Sequence, residues 1–163
     1  MSEQRSYPRH IKTDAGDVEF RLMSRADEAA VLAFAQKLPT HDLLFLPRNI
    51  SQPKVLSAWI NEIERGDIKS LLAIMDGKVV GCGTLVRDRH SWSPHVGGIR
   101  MVVSMDVRGQ GVGRALICAV YEHARLAGSP RVYWQTHETN AVAMRLYEQV
   151  AERSGFVVYR RSV

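Results

Sequence analysis

The hydrophobic pattern of this 163-residue chain predicts a mixed α/β fold in the order β-β-α-α-β-β-β-α-β-α-β. Three observations carry that reading. The turn-forming stretches Asp14-Ala15-Gly16-Asp17 and Asp76-Gly77 each join two apolar, strand-like runs. An extended apolar run at 99–105 enters the glycine-rich stretch Val107-Arg108-Gly109-Gln110-Gly111-Val112-Gly113-Arg114. That stretch then opens a helix whose apolar face recurs at Leu116, Ala119, Val120 and His123.

Each element follows from local chemistry. Strands at 9–13 and 18–23 form the first hairpin. Ser24 is placed to cap a helix running to about Lys37. Residues 38–53 hold three prolines and the cluster Leu43-Leu44-Phe45-Leu46, and are expected to be irregular. Ser51 then caps a second helix over 53–65, which Gly66 ends. Strands at 70–75 and 79–87 form the second hairpin, and a loop over 88–96 leads to the strand before the glycines. The long helix runs to about Ala127 and is followed by a strand at 131–136, a helix at 140–153 and a last strand at 156–160. No repeat, linker or low-complexity stretch divides the chain, so residues 1–163 are expected to form a single domain.

Composition narrows the class. Hydrophobic residues make up 45% of the chain, ordinary for a globular protein. No run approaches the roughly 18 apolar residues of a membrane span. The start, residues 1–10, is polar and lacks the apolar stretch of a secretory signal. The expected location is the cytoplasm, with Cys82 and Cys118 as free core thiols. Net charge is +5, from 22 basic and 17 acidic side chains. The bases are scattered, dense only at Arg87-Asp88-Arg89 and Arg160-Arg161, which argues against a nucleic-acid surface. The excess suits an anionic small-molecule partner.

The glycine stretch has the chemistry of an anion site. The first turn of a helix carries backbone N–H groups without internal partners, and its dipole adds roughly half a positive charge. Glycines let a phosphate approach those groups closely. A nucleoside-triphosphate loop needs Lys and then Ser or Thr after its last Gly, but Arg114 and Ala115 stand there. A dinucleotide fingerprint begun at Gly109 would need its third Gly where Arg114 stands.

The spacing Arg108-x-x-Gly111-x-Gly113 resembles the acyl-CoA pyrophosphate loop of the GCN5-related N-acetyltransferase (GNAT) superfamily. A second block, with Asn140, Ala143, Leu146, Tyr147, Gly155 and Phe156, is similar to that superfamily's downstream motif. The resemblance covers residues 70–160 well and the first 70 in outline. It implies a central mixed sheet flanked by helices and splayed between its fourth and fifth core strands, with acetyl-CoA in the cleft. One departure stands out. The superfamily commonly has three residues between the Tyr and the Gly-Phe pair, whereas this chain has seven. Four extra residues are close to one helical turn, so they are expected to lengthen the helix without rotating Tyr147.

The resemblance also implies residue roles. The backbone of Met101, Val102 and Val103 would pair with the pantetheine amides. Gly109, Gln110, Gly111, Val112 and Gly113 would hold the pyrophosphate, and Arg108 and Arg114 would add charge or point into solvent. Asn140 has two compatible roles, capping its helix and bonding the pantetheine arm. Tyr147 is expected to protonate the departing thiolate, its phenol being neutral at pH 7. The alternative is a core Tyr on the face Ala143-Leu146-Tyr147-Val150.

The acceptor is expected to be a primary amine of a small molecule or protein, attacking the thioester directly. The segment Val132-Tyr133-Trp134-Gln135-Thr136-His137-Glu138-Thr139-Asn140 is similar to a subgroup acting on amines. Residues 39–53 and 87–95 should border the acceptor. There Asp42 would pair a cationic amine or remain a solvated loop acid, and Trp92 would stack on substrate or cover the sheet. The general base stays open. Residues 97–105 contain no Glu or Asp, Asp106 falls too near the expected phosphates, and Glu138, His137, Asp42, His41 and a water chain compete. His90 and His95 lack the partner pattern of a metal site, so none is expected. The competing functional reading is a non-catalytic acyl-CoA-binding module of the same fold. A homodimer is compatible with either.

Overall fold

The computed structural model describes residues 7–44, 46 and 48–162. Phe45 of the leucine-rich cluster and the polar start at 1–6 lie outside the described residues. The elements are β1 (Arg9–Thr13), β2 (Gly16–Leu22), α1 (Glu28–Gln36), the short α2 (Thr40–Leu43), α3 (Pro53–Arg65), β3 (Ile68–Met75), β4 (Lys78–Val86), β5 (Val96–Val103), α4 (Val112–Leu126), β6 (Arg131–Tyr133) and α5 (Ala141–Val150). One sheet holds the strands in the order β1-β2-β3-β4-β5-β6. The first five pair antiparallel, and β6 lies parallel to β5.

Both hairpins form where the turn residues stand. Asp14 and Ala15 make a two-residue turn, and Asp76 (φ 49°) and Gly77 (φ 73°) supply the positive φ pair of the other. The sheet carries a core on each face. On one face α4 lays Val112, Leu116, Ala119 and Val120 over Phe20, Leu71, Ala73 and Leu85. On the other, α1 and α3 bring Val31, Phe34, Leu56 and Ile60 against Leu72, Cys82 and Val102. Small residues set how close α4 comes. A Cβ on Gly83 would lie 2.8 Å from Val120 Cγ2 and 3.2 Å from Leu116, so the helix sits where only glycine fits beneath it.

Several expectations are corrected. Ser24 caps a short 3-10 turn, Arg25–Asp27, before α1 begins. Gln52, not Ser51, is the N-cap of α3, because the Ser51 backbone and hydroxyl both turn back to Asn49 Oδ1. Cys118 is exposed, whereas Cys82 is buried and its thiol is pushed up to about 12 by that burial. Strand β6 stops at Tyr133 instead of Thr136 because it leaves β5 there. Helix α5 ends at Val150, so the four extra residues add no turn. Residues 151–154 are all exposed, and an unpacked turn gains too little to stay helical. The strand expected at 156–160 is not formed within the sheet.

Asp27 anchors the entry to α1. Its buried carboxylate accepts from Arg21 Nη1 at 2.9 Å and Nη2 at 2.6 Å, and from the Ser24 N–H at 2.8 Å. The Arg21 guanidinium holds the carboxyl below its ordinary value against the opposing effect of burial, and the Ser24 N–H adds to the lowering. A depressed folded-state value contributes stability above the unfolded value near ~3.9, and that stability is lost as pH falls through the folded value. Asp27→Asn should therefore cost about 1.5–3 kcal/mol in urea unfolding at neutral pH. The gap between variant and parent should narrow as pH falls from the unfolded value near ~3.9 toward the lower folded one. A gap unchanged with pH would contradict the ion-pair account.

Candidate functional site

The site is built where β5, the glycine loop and α5 meet. Strand β5 pairs with β4 from Gly98 to Val103. Its pairing with β6 covers only Val96, Gly97 and Gly98, against Arg131, Val132 and Tyr133. Beyond Gly98 the two strands part. The β5 edge at Met101, Val102 and Val103 thus faces an opening instead of a neighbouring strand. Val102 and Val103 are buried on opposite faces of the sheet, and Met101 is partly buried.

At the end of β5 a 3-10 turn, Met105–Val107, leads to the glycine loop. Gly109 (φ 73°) and Gly111 (φ 86°) are in the left-handed region, and Gly111 is the N-cap of α4. A Cβ on Gly109 would meet nothing within 4 Å, so its backbone is open to approach. The N–H groups of Val112, Gly113 and Arg114 lie in the first turn, where helix geometry offers no internal acceptor. Gly113 faces α5 and β5: a Cβ there would stand 3.7 Å from Leu146 and 3.8 Å from Val103. Gln110 and Asp106 hold the loop from within, the Gln110 amide donating to the Asp106 carbonyl at 2.9 Å. The first hairpin braces it, with Asp14 N–H donating to the Gln110 carbonyl at 3.1 Å.

The two arginines are engaged by the protein. Arg108 donates to the Val103 carbonyl through Nε at 3.1 Å and Nη2 at 2.9 Å, and Nη2 also pairs with Asp42. Asp42, on α2, is thereby tied to the end of β5, with His41 Nδ1 at 3.5 Å from its other oxygen. Arg114 donates to Gln149 Oε1 at 2.9 Å and so links α4 to α5. Asn140 caps α5, its Oδ1 accepting from the Ala143 N–H at 3.4 Å, while its amide donates to Thr136 Oγ1 at 3.3 Å.

Tyr147 stands half-buried on α5, its ring edge-on to Trp134 at a centroid distance of 5.2 Å. Tyr121 of α4 lies on the other side of Trp134, at 5.9 Å. Burial raises the Tyr147 phenol above its ordinary value and pushes Tyr121 up to about 12. Both therefore hold their protons throughout the neutral range. The Tyr121 hydroxyl is buried without a hydrogen-bond partner among the described residues. Sequence reasoning singled out Tyr147 and missed Tyr121. The available signal was the spacing Gly113, Ile117, Tyr121, one stripe of α4 at helical period.

Other candidates fall outside this cluster. Glu138 is exposed, and His137 Nδ1 lies 2.8 Å from Thr139 Oγ1 in the turn before α5. Trp92 is fully exposed and does not cover the sheet. His90 and His95 occupy the same exposed loop, where Asp88 accepts from the His90 N–H at 2.8 Å. A cavity of about 640 Å³ opens on the opposite flank of the glycine loop, between β1 and α4. Arg9, Lys12 and Arg114 line it, and no residue of β5 or α5 does.

The two glycines of the loop predict different responses. Gly111→Ala forces a side chain onto positive φ and should cost about 1–2 kcal/mol. Gly113→Ala places its methyl at ordinary contact distances and should leave the melting temperature within about 2 °C of the parent, under ~0.5 kcal/mol. Equal losses in thermal denaturation would contradict the loop conformation.

Comparison with known proteins agrees with this architecture. The D-amino-acid N-acetyltransferase HPA3 of Saccharomyces cerevisiae is 42% identical over 62 residues, 38% of this chain and 38% of that protein. An IAA acetyltransferase of Azospirillum brasilense is 31% identical over 102 residues, 61% of this chain and 65% of that protein. The matches thus span less than two thirds of either relative. The GNAT domain of S. lividans PAT has the same fold, with a TM-score of 0.75 at 15% identity over 91% of both chains. The aminoglycoside N-acetyltransferase AAC(6′)-Iy in complex with CoA superposes with a TM-score of 0.71 at 20% identity, over 89% of this chain and 94% of that one. The model of the acetyltransferase (GNAT) family matches residues 36–151, and the chain belongs to that family.

Proposed function

We propose that the chain is an acetyl-CoA-dependent N-acetyltransferase, acting as one cytoplasmic domain on a primary amine of a small molecule or protein. The observation that carries this reading is the parting of β5 from β6 beside a glycine-capped helix N-terminus. The strand edge and the helix N-terminus lie side by side, and a Cβ on Gly113 between them would stand 3.7 Å from Leu146, the residue before Tyr147. The fit to acetyl-CoA is specific in chemistry. The edge at Met101, Val102 and Val103, which pairs with no strand although Arg108 holds the Val103 carbonyl, suits the amides of a pantetheine arm, as an added strand would. The backbone of Gly109, Gln110, Gly111, Val112 and Gly113 suits its pyrophosphate. Arg108 and Arg114 hold the loop against β5 and α5, so in this reading they position the phosphate site, and the backbone supplies the direct bonds. Asn140 fixes the start of α5 next to it. The names of the relatives, which include a D-amino-acid N-acetyltransferase, support an amine acceptor.

Acetyl-CoA supplies an activated acyl group and a thiolate leaving group. The chain's residues then have two tasks. The amine nitrogen forms a bond to the acyl carbon as the carbon–sulfur bond breaks, and Tyr147 gives the departing sulfur its proton and regains one from solvent. The amine loses its own proton to water, because β5 carries no carboxylate. Tyr121, on the far side of Trp134, keeps the wall of the opening apolar and uncharged.

Release of free thiol from acetyl-CoA across a panel of small amines and peptides tests the activity. Turnover with at least one amine is expected. Tight CoA binding without turnover for any acceptor would favour the non-catalytic acyl-CoA-binding module. Tyr147→Phe should keep CoA affinity within a factor of about 2 and lower kcat by about 10²–10⁴-fold, the range for one acid–base group. An unchanged kcat would remove Tyr147 from the chemistry. The pH profile separates base mechanisms. With water taking the amine's proton, the rate should rise with pH along the acceptor's own pKa, and the raised phenol confines any alkaline fall from loss of its proton to pH above its ordinary value of 10.0. One pKa shared by all acceptors and abolished by Glu138→Gln would make Glu138 the base.

A further inference from the structure

Among the described residues, the half-buried arginines are matched to acceptors with one exception. Arg9 pairs with Glu122 and Arg21 with Asp27, while Arg87 donates to the Ala127 carbonyl and Ser129 Oγ at the end of α4. Arg100, on β5, has only the carbonyl of its own neighbour. Its Nη1 donates to the Ile99 oxygen at 2.9 Å, and no carboxylate among the described residues meets it. A guanidinium carries five N–H donors in a planar fork. Partly withdrawn from water with a single acceptor, such a cation calls for an anion.

The sheet register locates that anion. Arg100 stands opposite Thr84, and Thr84 opposite Ser70, so the three share one face. Ser70 and Thr84 are buried there, with their hydroxyls 2.8 Å apart. The next row on that face, Leu72, Cys82 and Val102, is apolar and packs against α1 and α3. A polar row thus crosses an apolar face and ends at Arg100. There β5 has no second neighbour, because β6 pairs with it only as far as Gly98. Arg100 lies two residues beyond that parting and directly before Met101.

We propose that Arg100 binds the carboxylate of the acceptor, so that the amine acetylated at this site is that of a free amino acid. Arg100 has this role only if the acyltransferase reading of the opening holds. The transfer is then the one described above. The amine nitrogen bonds to the acyl carbon, the carbon–sulfur bond breaks, the nitrogen's proton leaves to water and the sulfur gains one. The fork of one guanidinium matches the two oxygens and the single charge of a carboxylate. A phosphate dianion would call for a second cation, and the rows beside Arg100 carry none. Because Arg100 adjoins the edge read as the pantetheine seat, the carboxylate and the reacting amine must be close together in the acceptor. An α-amino acid separates them by one carbon. A lysine side chain within a protein, or a polyamine, has no carboxylate beside its amine.

Two measurements separate this role from the reading on which it rests. The first needs no turnover. At least one of alanine, leucine and phenylalanine, in the L or D form, should bind the CoA-saturated protein in calorimetry. Its carboxamide should bind at least about 30-fold more weakly, the loss for removing one partner of a desolvated charge pair. The second is thiol release from acetyl-CoA, where the acid should exceed its carboxamide in kcat/KM by a similar factor. Arg100→Met keeps most of the apolar stem and removes the charge. It should abolish the preference for acid over carboxamide in both measurements while CoA still binds. Arg100→Lys keeps the charge without the fork and should restore part of that preference. The acid is compared with its carboxamide on the parent protein, so that result stands whatever the variants do to folding. Equal treatment of the two by the parent overturns the proposal, as does a preference that survives Arg100→Met or a failure of every acid to bind. Turnover of amines that lack a carboxylate, without turnover of the acids, overturns the role of Arg100 and leaves the acyltransferase reading standing. Arg100-dependent binding of an acid without thiol release for any amine upholds the carboxylate site and overturns the transfer.

Discussion

The position of α4 is the constraint on which the rest depends. Its Leu116 and Val120 side chains rest on Gly81 and Gly83 of β4, where any Cβ would meet them at 2.8–3.2 Å. That contact drops the helix onto the sheet at a fixed height. Gly113, one turn before Leu116, is then placed so that a Cβ on it would stand 3.7 Å from Leu146 and 3.8 Å from Val103. The N-terminus of α4 is thus set against the end of β5 and the side of α5. An anion site made of backbone N–H groups has no side-chain flexibility with which to correct an error, so the helix must be placed by packing.

Polar contacts then lock the loop that the packing has delivered. Arg108 spends its donors on the Val103 carbonyl and on Asp42, joining the end of β5 to the short helix α2. Arg114 reaches Gln149, and the Asp14 N–H meets the Gln110 carbonyl. Four separate parts of the chain thereby brace one loop of seven residues, 108–114. In this arrangement the basic side chains act through geometry as much as through charge. The Asp42–Arg108 pair also ties the short helix α2 to the start of the glycine loop, so the two share one anchor.

Most of this architecture was legible in the sequence because it is set by local chemistry. The hairpin turns, the Gly66 stop, the Asn140 cap and the strand-to-glycine-to-helix transition each depend on a few adjacent residues. What was illegible is non-local. Arg108 and Asp42 are separated by 66 positions, and nothing in either neighbourhood points to the other. Nothing local marks Tyr121, which Trp134 meets only in the folded chain. The composition of 156–160 reads as a strand, but a strand exists only with a partner, and the segment pairs with no strand of the sheet. Cys118 was misjudged for a simpler reason. Two residues from Leu116 is about 200° around the helix, so the period that buries Leu116 turns Cys118 outward.

Amide hydrogen exchange with and without CoA tests the central claim most directly, because it locates the ligand without assuming turnover. The account predicts new protection at the glycine loop, residues 108–114, together with the β5 edge at Met101, Val102 and Val103. Strands β1 and β2 should be unchanged beyond the Asp14 contact. Protection confined to β1 and the outer face of α4, where Arg9, Lys12 and Arg114 line the neighbouring cavity, would place the ligand on the wrong side of the loop and contradict it.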